Sequence, residues 1–82
     1  MPIRLLFLGR LQDVAGEPER NLPADPGETI GTLLDRLEPA LAEALRSPRV
    51  RVALNGVVLG EIAAASIAGD DEIAFLPPVS GG

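Results

Sequence analysis

Ile30, Leu33, Leu34 and Leu37 recur at i, i+3, i+4 and i+7, the longest helical stripe in the sequence. The remaining apolar runs are short, and most alternate or are broken by glycine and proline. A chain of this kind has room for one helical layer on one sheet. Thr29 stands in the N-cap position ahead of the stripe, its hydroxyl placed to accept from the free amides of the first turn. Burying each of these leucine or isoleucine side chains is worth about 1.5–3 kcal/mol, so the stripe is expected to be the main attachment to the sheet. Pro39 suits the first turn of a second helical segment, where its missing amide costs nothing, and Leu41 and Leu45 keep that segment's face inward. A kink or break is therefore expected at Glu38 and Pro39.

The strands read from alternation. Ile3, Leu5 and Phe7 alternate with Arg4, Leu6 and Leu8 in a first strand that is apolar on both faces toward its end. GRLQDVAGEPE, residues 9–19, is a loop with room for a helical turn over Leu11 to Ala15. A short strand over Glu19 to Leu22 returns antiparallel before PADPGE breaks the chain. Val50, Val52 and Leu54 alternate with Arg49, Arg51 and Ala53 in a third strand, and Asn55-Gly56 tolerates the positive backbone angles of a type I′ turn into a fourth strand, Val57 to Leu59. EIAAASIA, residues 61–68, reads either as a turn or as a short 3₁₀ piece carrying Ile62 and Ile67 to the edge of the core. Gly69, Asp70 and Asp71 turn the chain into a last strand, Glu72 to Leu76. With the first and last strands parallel at the centre, this order describes an α+β fold, a β-grasp. It is a mixed sheet of about five strands packed on one main helix, with the helix on a single face.

Composition excludes several kinds of chemistry. The 82 residues make one domain, and no apolar run approaches the roughly 20 residues of a membrane span. MPIRLLFLG is too short in its apolar part for a signal peptide, so a cytoplasmic protein is expected. Without cysteine or histidine the chain lacks a thiolate nucleophile, the usual general base and the usual zinc ligands. Asp70, Asp71 and Glu72, with no further ligands beside them, read as a solvated turn rather than a metal site. All seven cations are arginines, so side-chain self-conjugation through an amine is impossible. A net charge of -5 speaks against nucleic acid and anionic membranes as partners.

The sequence closes on FLPPVSGG, residues 75–82. Pro77 and Pro78 favour an extended, polyproline-like exit, although they would serve equally as a plain strand terminator. Gly81 and Gly82, lacking a Cβ, suit a terminus that threads into a narrow site. The expected division is a β-grasp domain over 1–76 and an extended, flexible tail over 77–82. Together with FLG at residues 7–9, Asn55-Gly56 and GDDEI at residues 69–73, this ending closely resembles the MoaD-type ubiquitin-like sulfur carriers of the MoaD/ThiS family, the small subunits of molybdopterin synthase.

The resemblance implies a protein that performs no catalysis alone and binds no cofactor, but supplies sulfur as one half of a heteromeric sulfurtransferase. An E1-like adenylating enzyme spends ATP on the Gly82 carboxylate, a sulfur donor system converts the adenylate to a thiocarboxylate, and the tail enters the molybdopterin synthase large subunit. There the sulfur passes to a cyclic pyranopterin precursor. Gly82, with Gly81, is the reacting end. The same terminus would serve a related carrier for tRNA thiolation or another sulfur pathway, or a modifier joined to lysines, while a third reading is a passive ubiquitin-like interaction module whose binding survives removal of Ser80 to Gly82.

Strand parity supplies the expected partner surface. If Ile3, Leu5, Phe7, Leu59, Ile73 and Phe75 face the helix, then Leu6, Leu8, Val58, Ala74 and Leu76 share the opposite face. Leu8, Val58 and Leu76, continued by Pro77, Pro78, Val79 and Ser80, are the candidate partner-binding residues. Burial under a loop or an oligomer contact is the plainer alternative for the first three. Arg4, Arg10 and Arg51 are placed to ring that patch and pair with acidic partner residues.

Overall fold

The apolar runs near the two ends of the sequence meet at the centre of one sheet. The computed structural model describes residues 1–78, and Val79, Ser80, Gly81 and Gly82 lie outside them. Its strands are β1 (Pro2–Phe7), β2 (Glu19–Pro23), β3 (Arg51–Leu54), β4 (Val57–Val58) and β5 (Glu72–Leu76). They lie in the order β2-β1-β5-β3-β4. β1 and β5 run parallel, Arg4 opposite Glu72 and Phe7 opposite Phe75, whereas the other neighbours are antiparallel. Parallel neighbours need a long crossover, and the chain between them supplies it with the helical layer and the β3–β4 hairpin. The hairpin turns on Asn55 and Gly56, with φ of 50° and 85°, as the Asn-Gly pair requires.

The helical layer arrives in pieces: α1 (Leu11–Ala15), α2 (Ile30–Leu34) and α3 (Pro39–Leu45). The helix of the stripe stops earlier than the expected break at Glu38 and Pro39: α2 ends at Leu34, and residues 35–38 separate it from α3, which begins at Pro39. Glu38 is held at φ -55° and ψ 139°, because the residue before a proline is pushed out of the helical region. Leu37, in the gap, still packs into the core with Ile30, Leu33, Leu34, Leu41 and Leu45. Thr29 caps α2 through a reciprocal pair: its hydroxyl accepts from the Thr32 amide at 3.2 Å, and Thr32 Oγ1 accepts from the Thr29 amide at 2.9 Å.

Residues 61–68 form a turn that runs past the start of α2. Ile30 N donates to Ala65 O and Gly31 N to Ala63 O, each at 3.0 Å, while Ile67 N donates back to Glu28 O. Two amides that a helix start leaves free are thereby satisfied by backbone. The close approach requires glycine at position 31, since a Cβ there would lie 2.9 Å from Ala63 O. Glu28 is the buried charged residue of this corner. It accepts from Arg36 Nη1 at 2.5 Å and from the Asp25 amide at 3.2 Å, and Arg36 also donates to Pro23 O at 2.8 Å.

Phe7 and Phe75, neighbours across the parallel pair, stack in the core with ring centroids 5.8 Å apart and planes 12° from parallel. Arg20 closes the core's edge. Its guanidinium lies 5.8 Å from the Phe7 ring centroid and donates to Glu38 at 2.7 Å, Glu17 at 2.6 Å and Ala15 O at 3.0 Å. The hydrogen bond from Arg20 holds the Glu38 carboxyl below its usual value of 4.5, and the same bond, then that to Glu17, raises Arg20. Arg20→Ala is expected to lower stability by about 2 kcal/mol in urea denaturation at neutral pH, the scale of charge-assisted hydrogen bonds lost at a partly buried site. Glu38's share, from a depressed carboxyl, is present above its unfolded value and lost as pH falls through the folded one. Below pH 4.5 the gap between variant and wild type should therefore narrow.

Candidate functional site

The register lays out both faces of the sheet. Ile3, Leu5, Phe7, Val52, Ile73 and Phe75 are buried in the core, as their parity requires, and Leu59 is half-buried against it. On the opposite face Leu6 pairs with Ala74, Ala74 with Ala53, and Ala53 with Val58, an apolar row across four strands. Ala53 is buried within that row, whereas Val58 is 59% exposed. Leu76 stands opposite Arg51 nearer the tail. The β1–β5 register, continued by one residue, sets Leu8 beside Leu76, and Leu8 N donates to Phe75 O at 3.1 Å. Leu8 is 39% exposed and Leu76 half-buried. The structure therefore brings Leu8 and Leu76 together at the carboxyl ends of β1 and β5, with Val58 further along the same face.

The chain leaves β5 at Pro77, which is half-buried, and continues to an exposed Pro78. The expected roles of Val79, Ser80, Gly81 and Gly82 lie outside the described residues.

The arginines divide by position. Arg4 forms an ion pair with Glu72 on the open face, so it does not belong to a free ring around the patch. Arg20, Arg36 and Arg46 are likewise paired. Among the described residues Arg10, Arg49 and Arg51 make no ion pair. Topology puts these three at one end of the sheet, where β1 and β5 finish and β3 begins. Arg49 was missed by sequence reasoning. Its signal was antiparallel pairing, which carries the residues just before β3 toward the end of the sheet that the tail leaves.

At the other end of the sheet, the acidic turn is tied down by hydrogen bonds. Asp71 accepts from Asn55 Nδ2 at 3.0 Å and from the Ala68 amide at 2.9 Å, and Asn55 Oδ1 accepts from the Glu72 amide at 2.9 Å. Asn55 is thus more than a turn residue, because it fastens the β3–β4 hairpin to the start of β5. No cluster of acidic side chains with metal-binding geometry occurs among the described residues. Nor is any described helix long and apolar enough to cross a membrane.

The sequence pattern of the ThiS family matches residues 5–82. The chain belongs to the ThiS family. SAMP1 from Haloferax volcanii is 28% identical over the whole of both chains, with a TM-score of 0.81. A putative molybdopterin converting factor, subunit 1, from Pyrococcus furiosus is 16% identical over 96% of this chain and 99% of its own, with a TM-score of 0.77. A chain in the complex of subunits 1 and 2 of the molybdopterin-converting factor from Helicobacter pylori is 22% identical over all of both chains, with a TM-score of 0.66. The last two share the fold. This is the ubiquitin-like β-grasp of the family's sulfur carriers, with its mixed five-stranded sheet.

Proposed function

We propose that the chain is a sulfur carrier whose Gly82 carboxyl is charged and discharged by partner proteins, as the small subunit of molybdopterin synthase. The observation that carries this reading is the ThiS-family match, which runs through residue 82 and so takes in the whole FLPPVSGG segment. A carboxylate is a poor electrophile, since attack on it would have to expel an oxide. In the proposed sequence the Gly82 carboxylate attacks the α-phosphorus of ATP and pyrophosphate leaves. Donor sulfur then attacks the acyl carbon, a C–S bond forms and AMP departs with the carboxyl oxygen. The thiocarboxylate sulfur displaces an oxygen leaving group on a cyclic pyranopterin precursor, and water cleaves the resulting thioester, leaving the sulfur on the precursor and a carboxylate on Gly82. ATP is used by the adenylating enzyme, and this chain holds no cofactor of its own.

In this reading the open face is the docking surface, in a cytoplasmic setting, for the adenylating enzyme and the large subunit. Leu8, Val58 and Leu76 supply apolar contact, and Pro77, Pro78, Val79 and Ser80 lead the chain into the partner's site. Arg10, Arg49 and Arg51, which make no ion pair among the described residues of an acidic protein, are the groups left to meet carboxylates across the interface.

Intact-mass analysis after incubation with the adenylating enzyme, ATP and a sulfur donor is expected to show one oxygen exchanged for sulfur, localised to Gly82. A carboxylate that stays unmodified, or residues found beyond Gly82 in the working protein, would sink the proposal. The likeness to SAMP1, described in related structures as a small archaeal modifier protein, favours a second reading, attachment to lysines of other proteins. Lysine adducts ending in Gly82 would select it. With no lysine of its own, the chain would then be added singly, except through the Met1 amine.

A further inference from the structure

The FLG and FLPP segments converge on one contact. Gly9 has a φ of +55°, and a Cβ built on it would stand 2.9 Å from Pro77 Cγ, 3.7 Å from Cδ and 3.9 Å from Cβ. Because Leu8 N is bonded to Phe75 O, residues 8 and 9 leave β1 alongside the end of β5, where the chain becomes Pro77. A proline ring closes on its own backbone nitrogen, so it cannot swing aside as a free side chain does. Beyond a change of ring pucker, space for a Cβ at position 9 comes from moving the backbone of Pro77 or of residue 9 itself, and either changes how the two segments meet.

Resting on the sulfur-carrier reading above, we propose that Gly9 is a positioning residue for the tail. The Pro77 ring sits against its bare backbone, and with φ fixed by that ring the contact sets the direction in which residues 79–82 reach the partner's site. A left-handed φ would by itself explain a glycine here, and two substitutions separate the explanations. Asparagine tolerates the left-handed region better than other residues with a Cβ, so Gly9→Asn largely isolates the collision with the ring. Pro77→Ala removes Cγ and Cδ, leaving a nearest approach of 3.9 Å, ordinary contact.

The first measurement needs no partner. Proton NMR of the wild type is expected to show a nuclear Overhauser effect between Gly9 Hα and the Pro77 ring protons, and its absence overturns the contact. The second is single-turnover adenylation of Gly82 by saturating adenylating enzyme and ATP, with unfolding midpoints recorded for every variant. Gly9→Asn is expected to react about 100-fold more slowly, the usual consequence of an ångström-scale misplacement. In the Gly9→Asn/Pro77→Ala double variant the rate should return to that of Pro77→Ala, since the two residues share one contact. A Gly9→Asn protein reacting at the wild-type rate, or a double variant that reacts more slowly than Pro77→Ala, overturns the positioning role. A wild type that is not adenylated at all overturns the carrier reading instead, and the NMR result still judges the contact.

Discussion

Phe75→Ala is expected to cost about 3–5 kcal/mol of folding free energy, the range for emptying a buried aromatic site. Phe75 is fully buried at the centre of the sheet and stacked on Phe7. Its neighbours on the helical side, held by their own backbone ladders, have little freedom to fill the space. A domain of this size ordinarily holds only about 4–12 kcal/mol in total. The variant should therefore unfold at far lower urea than the wild type. Circular dichroism across a urea titration measures this, and a midpoint within error of the wild type would mean that the stacked pair is not the keystone of the core. Leu76→Ala, one residue on and half-buried on the other face, should lose much less.

Removal of Gly82 is expected to do the reverse, abolishing sulfur transfer while leaving the unfolding midpoint in place. Among the described residues the buried core cluster ends at Phe75, and a glycine has no side chain to add to it. The new terminal carboxyl, on Gly81, would fall short of the partner's chemistry by about 3.3–3.6 Å, the span of one extended residue. Misplacement by about 1 Å already costs a hundredfold in reactions that depend on alignment. Single-turnover transfer from the shortened chain should accordingly be indistinguishable from background. Transfer near the wild-type rate would show that the acyl carbon of Gly82 is not the one that carries sulfur.

How far the residues announced their own arrangement depended on whether the forces were local. The start of the α2 stripe, the Thr29 cap, the helix start at Pro39 and the Asn55-Gly56 turn follow from periodicity and backbone preference within a few residues, and the structure has each of them, although α2 ends at Leu34 rather than running to the proline. Parity correctly sorted Ile3, Leu5, Phe7, Ile73 and Phe75 from Leu6, Leu8, Val58 and Leu76. What went unread was set by long-range geometry. Nothing local in EIAAASIA says that Ala63 and Ala65 will accept the first amides of α2, or that Glu28 will be buried against Arg36. Arg4 looked as free as Arg10 until the parallel register set it opposite Glu72. The contact between Gly9 and Pro77 likewise exists only because β1 and β5 end side by side.

Parallel strands at the centre also fix where the molecule can be handled. β1 starts beside the start of β5, so Met1 sits about eight residues, roughly 26 Å, from the point where the chain departs at Pro77. A bulky label or a bead attached to the Met1 amine, which is the chain's sole primary amine, would thus stand at the far pole from the exit. Immobilised in that way, the protein should still offer its outgoing segment to whatever is washed across the surface.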